Sequence, residues 1–326
     1  MTVASAPLRL SLAGGGSDLP EHYHKHGCRL LTVALAARVQ VRVTAESSGS
    51  ASVVCWPDRR TELIASTNPD TGPIQAALDW FAITEPQRIE ITSPVSGGSG
   101  LGGSSAMLVA LVTALAAGLG ERVAAAQAAR TAFILERIQC GRPVGQQDHW
   151  AAAIGGALEL VIDPAGVART RSLPALQAAI DSLLEQGALM LLRTPITRSS
   201  AAPLNAQASI LSGGRAFGGV TSLVDEFYSA FCAQNTPKIG ALLDRHWQAK
   251  RAFNPSTSNL QLDRWYEQLR EAGALGAKVI GAGAGGYLLV ASPDTTQHNV
   301  GSTAAELGLQ RWMVSCDEHG VRVESE

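Results

Sequence analysis

The sequence predicts an α+β protein of two domains, on three observations. The chain has 326 residues, enough for two domains of ordinary size. In the first half, several strand-like segments precede the main helices. In the second half, a run of helical segments leads into a strand, a glycine turn and another strand. The division is expected near residue 180, giving domains at 1–180 and 181–326.

Residues 6–13 alternate, with Leu8, Leu10 and Leu12 on one face of a strand, and Gly14-Gly15-Gly16-Ser17-Asp18 breaks it. Residues 30–45 and 51–56 read as further strands, 71–80 as a helix and 88–92 as a strand. An apolar helix is expected over 107–119 and a second over 121–139. After a short loop at 141–145, Asp148 stands where a helix N-cap would, ahead of Trp150-Ala-Ala-Ala-Ile154. Residues 157–162 form a strand. In the second half, a strand is expected over 186–194 and helices over 223–234, 236–253 and 261–272. Strands at 276–280 and 287–291 flank a glycine turn, and 312–325 supplies one more strand.

Composition narrows the class. Hydrophobic residues make up 46% and charged residues 17%, as in a well-packed soluble protein. With 26 basic against 28 acidic residues, a large sequence-independent nucleic-acid surface is not expected. The five cysteines, Cys28, Cys55, Cys140, Cys232 and Cys316, show no short paired spacing and read as reduced cytosolic thiols. No basic region followed by a long apolar stretch opens the chain. The longest apolar run, after Met107, is short for a bilayer and interrupted by Thr113. A cytoplasmic location without a membrane partner follows as the expectation.

The most informative segment is Pro94-Val-Ser-Gly-Gly-Ser-Gly-Leu-Gly-Gly-Ser-Ser-Ala106, between a strand and a helix. Glycines let a backbone turn tightly and approach a ligand, and a helix start offers unpaired N–H groups to an anion. Ser104 and Ser105 add hydroxyls suited to phosphate oxygens or a hard cation. The plainer alternative is a Gly/Ser turn that only caps a helix. No Gly-Lys-Ser/Thr follows, which excludes a Walker A loop. Gly98, Gly100 and Gly103 fit the dinucleotide fingerprint, but two helices follow and leave no room for its second strand. Gly281, Gly283 and Gly286 fit it too, but lie between strands rather than opening a helix. Hydride transfer is therefore disfavoured. His22, His24 and His26 alternate beside Lys25 without a familiar zinc spacing. His149 adjoins Asp148, yet no nucleophile elbow is present for a hydrolase triad. Trp150 and Trp247 read as packing residues.

Three blocks now stand in order: Pro7-Leu-Arg-Leu-Ser-Leu-Ala-Gly-Gly-Gly-Ser-Asp-Leu-Pro20, the 97–106 loop, and Gly276-Ala-Lys-Val-Ile-Gly-Ala-Gly-Ala-Gly-Gly-Tyr287. The set resembles the three-motif signature of the GHMP small-molecule kinases, which include galactokinase, homoserine kinase, mevalonate kinase and phosphomevalonate kinase. The opening block is most similar to the sugar 1-kinases that phosphorylate D-glycero-D-manno-heptose 7-phosphate. Segments 144–148, 197–200 and 246–251 resemble that branch as well. Ala284 departs from the third motif, where a glycine is common. The resemblance implies an N-terminal domain like ribosomal protein S5 domain 2, a ferredoxin-like C-terminal domain, and ATP meeting the sugar between them.

The same resemblance assigns roles. Gly97, Gly98, Ser99, Gly100, Leu101, Gly102 and Gly103 would hold the ATP phosphates, with Ser104 and Ser105 beside them. Ser104 and Glu136 match the family's Mg²⁺ ligands, Ser105 being the second choice. Asp148 matches the catalytic aspartate and Arg9 the arginine that pairs with it. Asp18, with Gly15 and Gly16, matches the sugar site, and Gly283 and Gly285 the back of the cleft. Arg198 is the candidate cation for a 7-phosphate. Each residue keeps a plainer alternative: Glu136 a solvated carboxylate, Asp148 an N-cap, Arg9 a solvent-facing strand residue. Asp18 could be an Asx turn, 281–286 a hairpin turn, and Arg198 a surface residue. The implied partners are a sugar phosphate and ATP, with a homodimer left open. The competing functions are a kinase for an unphosphorylated sugar of the fucose or galactose type, and a non-catalytic sugar or nucleotide sensor on the same fold.

Overall fold

The computed structural model describes residues 1–46, 51–196 and 201–324. Two sheets organise them. The larger has eight strands. Its path runs β12 (Arg322–Val323), β1 (Thr2–Ala13), β2 (Cys28–Ala45), β5 (Gln87–Thr92), β3 (Val53–Cys55) and β4 (Thr61–Leu63). β6 (Ala157–Ile162) pairs with the first half of β2, and β7 (Ala168–Ser172) with β6. All pairings are antiparallel except β3 with β5.

β1 is buried on both faces. Leu8, Leu10 and Leu12 enter the core, while Arg9 and Ser11 share the opposite side. Register shifts in the β1–β2 ladder at Pro7/Leu8 and Ser11/Ala13 bracket those two residues, as bulges that re-aim side chains often do. α3 (Gly103–Gly118) is apolar almost all round, which suits only a helix surrounded by protein. It packs on β1, β2, α4 (Ala125–Phe133) and α5 (Gln147–Ile154). Around this core lie α1 (Pro20–His26), α2 (Gly72–Trp80) and α6 (Pro174–Glu185).

The smaller sheet has the order β11 (Gln310–Arg311), β8 (Leu189–Arg193), β10 (Tyr287–Ala291), β9 (Gly276–Val279), all antiparallel. Numbered within that unit the order is 4-1-3-2, the ferredoxin-like arrangement the motifs imply. α10 (Thr236–Phe253) packs on β9 and β10, α12 (Gln297–Glu306) on β11, and α11 (Leu260–Glu271) on α12, whereas α7 (Ala201–Ser212) packs on α1, α8 (Gly218–Thr221) on α10 and β2, and α9 (Val224–Cys232) on α6, α10, β1 and β2. Trp247, Trp265, Leu269 and Val290 fill its core. Among the described residues, no helix is long and apolar enough to cross a membrane.

The strand at 157–162 and the helix at 236–253 lie where the sequence places them. Others differ for identifiable reasons. The helix expected over 121–139 begins at Ala125 and ends in a π-helical turn, Ile134–Gln139, which side-chain periodicity does not reveal. Asp148 is not the cap of α5. Gln146 holds that position, and Asp148 lies in the first turn. β7 reads Ala-Arg-Thr-Arg-Ser, a polar edge strand without alternation. Of the strand expected over 312–325, only Arg322–Val323 forms one, at the edge of the larger sheet, with a lone bridge from Cys316 to Leu35; the edge strand of the smaller sheet, Gln310–Arg311, lies just before that range. His22, His24 and His26 lie on α1. Among the described residues no three His, Cys, Asp or Glu side chains gather as a metal site.

Candidate active site

The glycine loop ends on Gly102, whose φ of +77° is natural only for glycine, and α3 starts at the next residue. The first N–H groups of α3 thus open beside the loop. The third glycine motif backs onto it. A Cβ on Gly100 would stand 2.6 Å from the Ile280 carbonyl, and one on Gly281 would stand 2.5 Å from that of Gly100. Only two glycines allow that approach. Gly286 lies against Ser99 in the same way, whereas Gly283 packs on Thr257 and Gly285 on Ile196. A cavity of about 250 Å³, lined by Gly97, Gly98, Ser99, Thr194 and Tyr287, opens between the loop and the smaller sheet.

Arg9 and Asp148 meet directly above Gly102. Arg9 Nε donates to Asp148 Oδ1 at 2.7 Å and Nη2 to Oδ2 at 2.8 Å, a bidentate pair. Arg9 Nη1 also donates to the Gly100 carbonyl, and the Arg9 N–H to that of Leu101 at 3.0 Å. One arginine therefore ties β1, the phosphate-type loop and α5 together. Its side chain is buried, while that of Asp148 keeps 27% of its surface open. The aspartate is thus fixed in direction yet reachable.

Glu136 is 1% exposed and projects from the π-helical turn. It accepts hydrogen bonds from Ser104 Oγ at 2.7 Å and Ser105 Oγ at 3.0 Å, and pairs with His149 Nε2 at 2.8 Å. Arg142 Nη1 reaches both Glu136 Oε1, at 3.3 Å, and Ser104 Oγ, at 3.1 Å. Burial works against its charge, but His149, Arg142 and Ser104 outweigh that effect and hold the carboxyl at about 2. Ser104 is exposed and Ser105 buried, so Ser104 is the hydroxyl that faces the cleft. An ionised carboxylate beside an accessible hydroxyl is a hard-oxygen pair, the donor type that Mg²⁺ takes together with phosphate oxygens and water.

Asp18 closes the other side. Its carboxylate accepts from the Gly16 N–H at 3.0 Å and the Gln147 N–H at 2.9 Å, so it sets the Gly15–Gly16 turn against the start of α5. Burial, opposed in part by those bonds, raises its pKa. Gly145 lies so close to Asp18 that a Cβ there would overlap the carboxylate. Arg198 lies outside the described residues.

Four residues at or behind the site were assigned no role from the sequence. Arg142 carried a weak signal, as an arginine in a tight loop just after Glu136. His149 reaches Glu136 because adjacent residues on a helix diverge by about 100°. Asp148 turns to Arg9, and His149 to Glu136. Lys278 Nζ donates to the Leu12 carbonyl at 2.5 Å, joining the smaller sheet to β1, and His246 lies buried close by with neither ring nitrogen paired. Lys278 stands in the third glycine motif and His246 opens the 246–251 segment, but neither pattern specifies these contacts.

Residues 73–156 match the family model described as GHMP kinases N terminal domain, and 227–305 the one described as GHMP kinases C terminal. Together these matches cover half of the chain. A D-glycero-alpha-D-manno-heptose 7-phosphate kinase of Campylobacter jejuni is 24% identical over 90% of this chain and 90% of its own length. A galactokinase of Mycobacterium tuberculosis is 27% identical, covering 93% and 92%. The crystal structure of a D-glycero-D-manno-heptose 1-phosphate kinase from Bacteroides thetaiotaomicron superposes with a TM-score of 0.77. It covers 100% of this chain and 99% of its own, at 19% identity, a likeness of fold. Both family domains stand in order on a chain whose three glycine motifs converge on one cleft, and the protein belongs to the GHMP kinases.

Proposed function

We propose that this kinase transfers the γ-phosphoryl group of ATP to the anomeric hydroxyl of a sugar, D-glycero-D-manno-heptose 7-phosphate or a close relative. The bidentate Arg9–Asp148 pair carries the reading. It places a fixed carboxylate at the mouth of an anion-binding loop, the arrangement that in-line phosphoryl transfer to a hydroxyl requires. Asp148 accepts the proton of the anomeric hydroxyl as its oxygen bonds to the γ-phosphorus and the bond to the ADP oxygen breaks. Arg9 holds that carboxylate and adds positive charge beside the transferring group. The N–H groups of residues 97–103 and the start of α3 hold the phosphates. Ser104 and Glu136 fit Mg²⁺, which when bound would neutralise phosphate charge.

The sugar would lie over Gly15, Gly16 and Asp18, backed by the loop that carries Gly283 and Gly285. Arg198 is proposed to meet the 7-phosphate. The heptose assignment draws on the Campylobacter relative. The galactokinase likeness makes an unphosphorylated sugar the reading to exclude. A division at 1–180 and 181–326 and a cytoplasmic setting, with all five cysteines free, belong to the same proposal.

The test is ADP release from Mg²⁺-ATP across heptose 7-phosphate, galactose, fucose and related sugars, with Asp148→Ala alongside. Turnover of the heptose phosphate, lost in the variant, supports the reading. Turnover of free hexoses alone moves the substrate, and silence with every sugar overturns the proposal.

A further inference from the structure

Beside the Arg9–Asp148 pair stands a second, smaller bridge between the same two elements. Arg9 and Ser11 share one face of β1, two residues apart. Asp148 and Gln147 are neighbours in the first turn of α5. Ser11 Oγ donates to Gln147 Oε1 at 3.2 Å, so Ser11–Gln147 runs parallel to Arg9–Asp148, one step nearer the Gly14–Asp18 turn. Gly15 leaves the space for it. A Cβ at Gly15 would stand 2.5 Å from Ser11 Oγ and 3.3 Å from Gln147 Oε1.

The bridge is incomplete. Gln147 is buried, and its Nε2 has no hydrogen-bond partner. Turning the amide over does not remove the mismatch, since the Ser11 hydroxyl can satisfy only one of the two amide atoms. A buried amide N–H₂ left unpaired is costly, and a fold keeps one where something else supplies the acceptor. The Gln147 backbone N–H is already committed to Asp18, so the amide is the free donor of this residue.

Resting on the sugar-kinase reading, we propose that the Gln147 amide, oriented by Ser11, donates to a sugar ring hydroxyl near the anomeric centre and selects substrates that carry it. The chemistry it recognises is a hydroxyl on C2 or C3 of the ring. Asp148 takes the anomeric hydroxyl, and Gln147, its neighbour in the same helical turn, takes that one. A site built to donate to a hydroxyl discriminates against the analogue that lacks it, because the donor is then left unpaired.

The experiment uses the full-length enzyme, the best sugar found in the panel above, and its 2-deoxy and 3-deoxy forms. In the wild type, removing one of these hydroxyls is expected to lower kcat/KM by about 10- to 100-fold. Gln147→Met should lower kcat/KM for the parent sugar by a similar factor. It should also cease to distinguish that analogue from the parent, and leave the KM for ATP within about twofold. A merely structural glutamine would not alter the ratio between two sugars. If Gln147→Met does not fold, Gln147→Glu, which keeps the Ser11 bond and exchanges the donor for an acceptor, is read in the same way. Wild-type discrimination retained by the variant overturns the inference and leaves the sugar-kinase reading standing. A wild type silent towards every sugar overturns both.

Discussion

Replacing Gly102 by alanine adds one methyl group directly beneath the Arg9–Asp148 pair. The backbone at Gly102 has φ +77°, where an L-residue costs roughly 1–2 kcal/mol. The new Cβ would stand 3.2 Å from Arg9 Cγ and 3.3 Å from Asp148 Cγ and Oδ2, closer than such contacts normally settle. Both side chains are held, Arg9 by the Gly100 carbonyl and Asp148 by Arg9, so relief must come from moving the pair or the loop by a few tenths of an ångström. A displacement of that order at aligned reacting groups is expected to lower kcat by about 10- to 100-fold, or roughly 1.4–2.7 kcal/mol in the barrier. Stability should fall by about 1–2 kcal/mol at the same time. The assay is steady-state ADP release with the sugar and ATP varied separately, alongside denaturant unfolding. A Gly102→Ala enzyme with kcat within about twofold of wild type and unchanged stability would refute the claim that this glycine sets Asp148 against the loop.

Other consequences follow from the same geometry. Glu136→Gln removes the charge that faces Ser104 and leaves His149 and Arg142 without their carboxylate. The Mg²⁺ concentration for half-maximal rate should rise by about tenfold or more, and an unchanged requirement would remove Glu136 from the metal's surroundings. His246 is held well below the ordinary histidine range, first by burial and then by Lys278 and Lys250. The unfolded chain therefore binds a proton that the folded one refuses, and stability is lost as pH falls below about 6.5. Relative to His246→Leu, the wild type should lose up to about 1.4 kcal/mol per pH unit between pH 6.5 and 5. A difference that stays flat over that range would contradict the burial argument.

Much of this was legible because the glycine motifs are both sequence signals and geometric necessities. Gly100, Gly102 and Gly281 occupy places where a Cβ would overlap backbone or crowd the Arg9 and Asp148 side chains, so the pattern carried the candidate site with it. Arg9 and Asp148 stood in those motifs or beside them. The plainer alternatives for Arg9 and Glu136 give way because both are buried and paired, which no periodicity reports. The π-helical turn that aims Glu136 was illegible for the same reason, since it changes the backbone path without changing the apolar pattern. Arg142, Gln147 and Lys278 act through contacts across 30 or more positions of sequence, and the local motifs around them do not specify those partners.

The central claim is tested most directly by the position of the phosphate in the product. ³¹P–¹H correlation NMR of the reaction with Mg²⁺-ATP and heptose 7-phosphate should show a new phosphorus coupled to the anomeric proton. The product should form with the wild type and be reduced by about 10²- to 10⁴-fold with Asp148→Ala. A phosphate appearing on any other oxygen, or an Asp148→Ala enzyme as fast as the wild type, would contradict the account.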